Sequence, residues 1–359
     1  MMSPGGAHRK LVVRDGRVQA LPCRKVPSRL DGLLSRSDSS RRGPDRLKPH
    51  LQTLLRTATG IASLIAPGWT GRRAFRMFST PPASARRAGA ASERVVRAHE
   101  QLARGTRVRL EHADGHIVTW TFEPHEGASR GGAPQRTVVL VHGWTSRAAF
   151  MTAFVEPLRG AGCRVVAMDL PGHGESGGDR LHLGMAVAAL RRVHECTGPW
   201  HGAVAHSFGG AAVLTMADGT IESGSPVAFD RVAFDRVAFD RVAFDRVALI
   251  GAPESIRTIF EGFGRAVGLG ERAQAAMNGC AETITGRPLA DYRCARMLER
   301  LRVPALVLHA PEDREVAFDE ARALAAAGDF VRLEPIDGAG HRRILYDPRT
   351  VSAVASFFG

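Results

Sequence analysis

The sequence predicts an α/β domain: a mostly parallel sheet with helices on both faces. Two observations carry that prediction. From Thr106 onward, short continuous apolar runs alternate with stretches of helical character, and strands that are apolar at every position belong in sheets covered on both sides. Several of these runs also end in tight turns rich in glycine and polar residues, as expected where a parallel sheet presents its carboxyl edge to a ligand. With 359 residues and 44% hydrophobic content, the chain can form one domain of about 200–250 residues plus an extension.

The amino-terminal third is different. Residues 1–90 hold 18 Lys and Arg against 4 Asp and Glu, which accounts for the formal charge of +13 and leaves the remainder close to neutral. A nucleic-acid footprint should lie on the folded face that reads the nucleic acid, so no nucleic-acid partner is expected. Residues 1–50 scatter their apolar positions among Arg, Ser, Pro and Gly, and are expected to be disordered. Their Arg-rich, acid-poor character resembles a transit peptide; a start codon placed too far upstream, with Met77 as an internal candidate, is the other reading. Residues 51–105 read as a helical segment and linker. Within it Leu51, Leu54, Leu55, Ala58, Ile61, Ala62 and Ile65 recur at intervals of three and four, one amphipathic helix ended by Pro67 and Gly68. That helix is expected to pack on the domain surface, with a membrane-surface role as the alternative. Arg56 and the length of the segment argue against a spanning helix.

The domain proper is expected over 106–359. A hairpin around Ala113, Asp114 and Gly115 opens it, followed by strands at Thr137–Val141, Arg164–Met168 and Gly202–Ala205, with helices near Arg147–Arg159 and His182–Glu195. A pentapeptide, Val-Ala-Phe-Asp-Arg, then occurs four times over 227–246. A period of five matches neither strand nor helix, so no single buried face forms, and the repeat reads as an in-frame duplication, with a specific repeat module as the alternative. It precedes a sixth strand, Val247–Ala252, and should emerge from the sheet edge opposite the functional one. Five cysteines without a C-x-x-C pair suit a reducing, cytoplasmic compartment. No metal-ligand spacing occurs, and neither metal nor cofactor is expected.

The chemistry centres on Ala205-His206-Ser207-Phe208-Gly209-Gly210, which follows an apolar strand and opens a helix. A serine raised on such a turn needs small residues two before and two after it; Ala205 adds one methyl to the usual glycine, and Gly209 fits. Ser207 alone could be an ordinary helix cap. The run Val139–Trp144, a buried strand ending in His142-Gly143, changes that reading, because the Trp144 N–H can point at an oxyanion together with the Phe208 N–H at the positive end of its helix. Asp169–Ser176 forms a tight loop after the next strand; Asp169 and His173 are expected to shape it, and His142 and His206 to make structural hydrogen bonds.

These motifs, in this order over Thr106–Gly359, resemble the α/β-hydrolase superfamily. The resemblance extends to Leu306–Val316, matching the segment that bears the acid, and to Gly338–Arg342, matching the segment that bears the base. It implies a nucleophile Ser207, a general base His341 and an orienting acid Asp313, with Glu312, Asp319 and Asp337 as rival acids. Gly143 and Gly209 support the motif. It also implies a small helical cap over about 253–303, with Ile259, Phe260, Phe263, Val267 and Leu269 toward the site. Haloalkane dehalogenases and epoxide hydrolases of this superfamily attack with aspartate, so those activities are not expected of Ser207. The resemblance points to a small-molecule, ester-like substrate with modest hydrophobic groups. Thioester and C–C substrates remain open, as does a catalytically silent binding fold.

Overall fold

The computed structural model describes residues 11–14, 17–20, 49–86, 93–113, 115–128, 136–221 and 244–359. In the basic extension, β1 (Leu11–Arg14) and β2 (Arg17–Ala20) pair antiparallel with each other, where the sequence led us to expect disorder; the rest of 1–48 lies outside the described residues.

The central sheet has eight strands: β3 (Thr106–His112), β4 (Gly115–Phe122), β5 (Arg136–Val141), β6 (Cys163–Met168), β7 (Gly202–His206), β8 (Arg246–Ile250), β9 (Ala305–His309) and β10 (Val331–Pro335). Their order is β10-β9-β8-β7-β5-β6-β4-β3. β5 through β10 are parallel, and β3 and β4 join as an antiparallel hairpin whose register brings His112 opposite Gly115. From β5 the chain moves to β6 on one side and to β7 on the other. The connections diverge there, which opens a crevice at the carboxyl ends of β5 and β7.

Thirteen helices surround the sheet among the described residues: α1 (Pro49–Ile65), α2 (Pro67–Ser79), α3 (Ala83–Arg86), α4 (Glu93–Ala103), α5 (Val155–Gly160), α6 (Leu183–Thr197), α7 (Phe208–Asp218), α8 (Ile256–Val267), α9 (Glu271–Thr285), α10 (Cys294–Leu301), α11 (Phe318–Ala325), α12 (Gly340–Arg343) and α13 (Pro348–Phe358). Strand residues alternate between two cores, as a period of two requires. On β5, Val139 and Val141 join the core under α2, α6, α7 and the cap, while Val138 and Leu140 join the core under α4, α5 and α13. The helix expected near Arg147–Arg159 is a 3-10 stretch, Ala148–Phe154, running into α5. Pro157 sits in the first turn of α5, where its missing N–H leaves no helical bond unmade.

The segment expected to form a cap, 253–303, holds α8, α9 and α10. An unforeseen member joins it: α2 lies along α9. Gly71 makes that approach possible, because a Cβ there would stand 2.4 Å from the Ala273 carbonyl and 2.6 Å from the Ala276 Cβ. The part of α2 that precedes Met77 is therefore integral to the folded unit. The pentapeptide repeat lies outside the described residues up to 243; its last residue, Arg246, pairs with Gly202 at the amino edge of the sheet. In a well-packed contact an added side chain forces backbone shifts costing about 1–3 kcal/mol. Gly71→Leu should accordingly lower the thermal midpoint by several degrees, measured by circular dichroism; an unchanged midpoint would mean that α2 docks only loosely.

Candidate active site

Ser207 links β7 to α7 with φ 52° and ψ −124°, a left-side conformation that costs a non-glycine residue about 1–3 kcal/mol and persists only when its surroundings enforce it. They do so by contact. Gly209 faces the end of β5 so closely that a Cβ would stand 2.6 Å from the His142 carbonyl and 2.9 Å from that of Val141, and a Cβ on Gly143 would lie 2.9 Å from the Ser207 Cβ. The Ala205 methyl, in place of the expected glycine, is fully buried in the core. The Ser207 N–H donates to the Ile250 carbonyl at 2.9 Å.

His341 and Asp313, the expected base and acid, lie in contact. His341 Nδ1 is 2.7 Å from Asp313 Oδ2, and the imidazole packs over Gly251, where a Cβ would stand 3.3 Å from Nδ1. Ser207 and His341 thus converge at the carboxyl end of β8. The other Asp313 oxygen accepts the N–H groups of Glu315 at 2.8 Å and Val316 at 3.0 Å. Burial alone would raise the Asp313 carboxyl, but the His341 hydrogen bond and these N–H donors outweigh it and hold its pKa below the ordinary carboxylate value. The rival acids lie elsewhere. Glu312 is exposed and accepts from the Gly340 N–H, Asp319 pairs with Arg322 on α11, and Asp337 is exposed.

Three histidines brace this arrangement through the backbone. His206 Nε2 donates to the His341 carbonyl at 2.9 Å; burial first, and the neighbouring His341 second, depress its pKa to about 3, so it stays neutral. His142 Nδ1 donates to the Gly143 carbonyl, and its Nε2 accepts the Leu170 N–H. His173 Nδ1 donates to the Pro171 carbonyl and its Nε2 accepts the Thr145 N–H. Asp169 completes the brace: Oδ1 accepts the Ala148 N–H at 2.7 Å and Oδ2 the Glu175 N–H at 2.8 Å. Burial pushes its carboxyl up to about 6 against the pull of those two donors. The loop 169–176 therefore clamps the segment 142–148 that carries Trp144. Trp144 follows Gly143, whose backbone lies against Ser207, and its ring stands 6.1 Å from that of Phe208, the residue after the serine.

Two features escaped the sequence reading. A narrow apolar pocket beside Phe208 is lined by Phe75, Phe78, Leu183, Phe260 and Tyr292, among others. Phe75 and Phe78 come from α2, and Phe78 stacks on the Trp144 ring with centroids 5.6 Å apart and planes at 7°. The spacing of Ala74, Phe75 and Phe78 signals a buried helix face, but nothing in it names the partner. The second feature is Glu315, ion-paired to Arg342, whose carboxylate stands 4.0 Å from His341 Nε2; only its nearness in sequence to Asp313 could have pointed to it. Among the described residues no group of three His, Cys, Asp or Glu could hold a metal ion.

Asparagine in place of Asp169 keeps the shape but loses one of two acceptors, leaving a buried N–H unmatched at a cost of about 1–3 kcal/mol. Asp169→Asn should lower the unfolding free energy obtained from urea denaturation by that amount; wild-type stability would contradict the clamp.

Several solved structures are similar in fold to this chain. An esterase domain from Rhodothermus marinus shares 20% identity over 70% of this chain and 95% of its own, with a TM-score of 0.45. The esterase RhEst1 from a Rhodococcus species shares 19% over 70% and 98%, with a TM-score of 0.47, and a hydrolase from Pseudomonas aeruginosa 17% over 71% and 99%, with a TM-score of 0.49. No curated protein sequence matches. The model of the alpha/beta hydrolase family matches residues 138–354, more than half of the chain and every strand from β6 to β10, and the chain belongs to that family.

Proposed function

We propose that the protein is a serine hydrolase that cleaves carboxylic esters carrying modest hydrophobic groups through an acyl-enzyme. The observation that carries this reading is the 2.7 Å contact between His341 and Asp313 at the end of the strand that also anchors the strained Ser207 turn. A serine hydroxyl is a poor nucleophile at neutral pH and needs an imidazole to take its proton. With Nδ1 bonded to Asp313, the His341 proton sits on the carboxylate side, and Nε2 is left as the base.

In the first half-reaction Ser207 Oγ bonds to the ester carbonyl carbon as its proton passes to His341 Nε2. The carbonyl oxygen becomes an oxyanion, which the Trp144 and Phe208 N–H groups stabilise. Collapse breaks the bond to the alkoxy oxygen, and His341 returns the proton to the departing alcohol. Water then repeats the sequence on the acyl-serine: His341 takes its proton, the acyl–Oγ bond breaks, and Ser207 recovers the proton as the acid leaves. Asp313 remains ionised throughout and stabilises the imidazolium. The apolar pocket beside Phe208 suits one short acyl or alkyl chain.

A fluorophosphonate probe should form one covalent adduct, at Ser207, and none with Ser207→Ala. Asp313→Asn should lower kcat by about 10⁴-fold. Undiminished labelling of folded Ser207→Ala would refute the assignment, and a folded wild type that never labels would favour a silent binding fold. Since pocket walls discriminate by about 10–200-fold per added or missing methylene, Phe78→Ala should raise kcat/KM for an octanoate over a butyrate ester by about tenfold; an unchanged ratio would place the acyl chain elsewhere.

A further inference from the structure

The helix α1 is packed inside out. Its small and polar stripe faces the body: Ser63 is buried, the Arg56 backbone lies against Gly268 and the Ser63 Cβ against Gly270. Hydroxyl groups on this stripe are satisfied within the helix, Thr59 donating to the Leu55 carbonyl and Ser63 to the Thr59 carbonyl. The apolar stripe, which ordinarily seeks the core, faces outward. Leu64 is 83% exposed, Ile65 80%, Leu54 63% and Ile61 54%, and Trp69 at the start of α2 is 60% exposed. Apart from Met77 and Val96, these residues and Leu55 are the exposed large hydrophobics among the described residues. Concentration in one helix and the start of the next marks a contact surface, since scattered single residues would need no explanation.

Charge identifies what it contacts. The outer face of α2 also exposes Arg72, Arg73 and Arg76, none of them ion-paired among the described residues. Between Asp45 and Glu93 the sequence contains no acidic residue and eight basic ones. A second copy of the chain would bring the same arginines to the contact and be repelled. An anionic bilayer complements both properties: acyl chains receive the leucines and isoleucines, lipid phosphates receive the arginines, and the headgroup boundary suits an exposed tryptophan. No described helix is long and apolar enough to cross a membrane, which fits a helix lying in the interface. We infer that α1 and the start of α2 dock the protein on anionic lipid surfaces. The inner side of α2 carries Phe75 and Phe78, so docking sets the apolar pocket one helix thickness, about 10 Å, behind the lipid.

The test uses the full chain and vesicles of phosphatidylcholine with and without 30% phosphatidylglycerol, read by co-sedimentation at 0.1 M salt. Wild type should bind the anionic vesicles with a blue shift of tryptophan emission that disappears in Trp69→Phe. The neutral double variant Leu64→Gln/Ile65→Gln should bind at least tenfold more weakly, with its circular dichroism and its turnover of a soluble ester unchanged. Those two controls separate docking from the hydrolase reading, because either can fail alone. Absence of vesicle binding would overturn the inference. So would full binding by the double variant, which would reduce the effect to charge adhesion, or a wild-type dimer that the double variant dissolves, which would give the face to a second copy.

Discussion

Gly209 lies against the carbonyls of Val141 and His142 with no room for a side chain, and the remaining site geometry follows from that contact. It presses the start of α7 onto the end of β5, where Ser207 adopts its strained conformation and Phe208 comes up against Trp144. Removing the contact would let the turn relax by about 1–3 kcal/mol and withdraw the serine. The strain is held because the strands on either side of the turn are fully buried and paired, β7 between β5 and β8. Here the parallel sheet acts as a rigid frame for a locally unfavourable backbone.

Around that frame the polar groups divide by burial. His142, His206 and His173 each commit ring nitrogens to backbone groups, and burial keeps His142 and His206 neutral, so they orient loops without carrying charge. Asp313, by contrast, is surrounded by donors that favour its ionised form. A buried carboxylate with three hydrogen-bond donors is suited to steady an imidazolium, whereas Asp169, also buried, spends its two oxygens on the backbone N–H groups of Ala148 and Glu175. Two aspartates of identical chemistry thus take an electrostatic and a structural task, according to what their oxygens face.

The amino-terminal helices show the limit of periodicity. The spacing of Leu54, Ile61 and Ile65 specifies an amphipathic helix, and a helix is present there. Periodicity does not say which stripe packs. Glycines 268 and 270, more than 200 residues away, admit the close approach of the small stripe of α1, and this turns the apolar stripe outward. In α2 the same kind of long-range partner decides the opposite outcome: Gly71 fits against α9, and Phe75 and Phe78 turn inward to the pocket.

What the sequence by itself determined is the frame: apolar strands at β5 through β8, the turn residues that end them, and the order in which Ser207, Asp313 and His341 follow along the chain. These are local properties, because a strand's apolar run and a turn's glycines are written in adjacent residues and a parallel sheet sends every strand end to one edge. In the sequence only the motif separated Asp313 from Glu312; in the fold Asp313 accepts from Glu315 and Val316 and meets His341, while Glu312 is exposed. Tertiary structure alone decided that residues before Thr106 wall the pocket, that Glu315 stands beside His341, that the loop at Asp169 clamps the Trp144 segment, and that α1 faces outward. Each of these depends on which distant surfaces meet, and such meetings are set by steric fit between residues far apart in the chain.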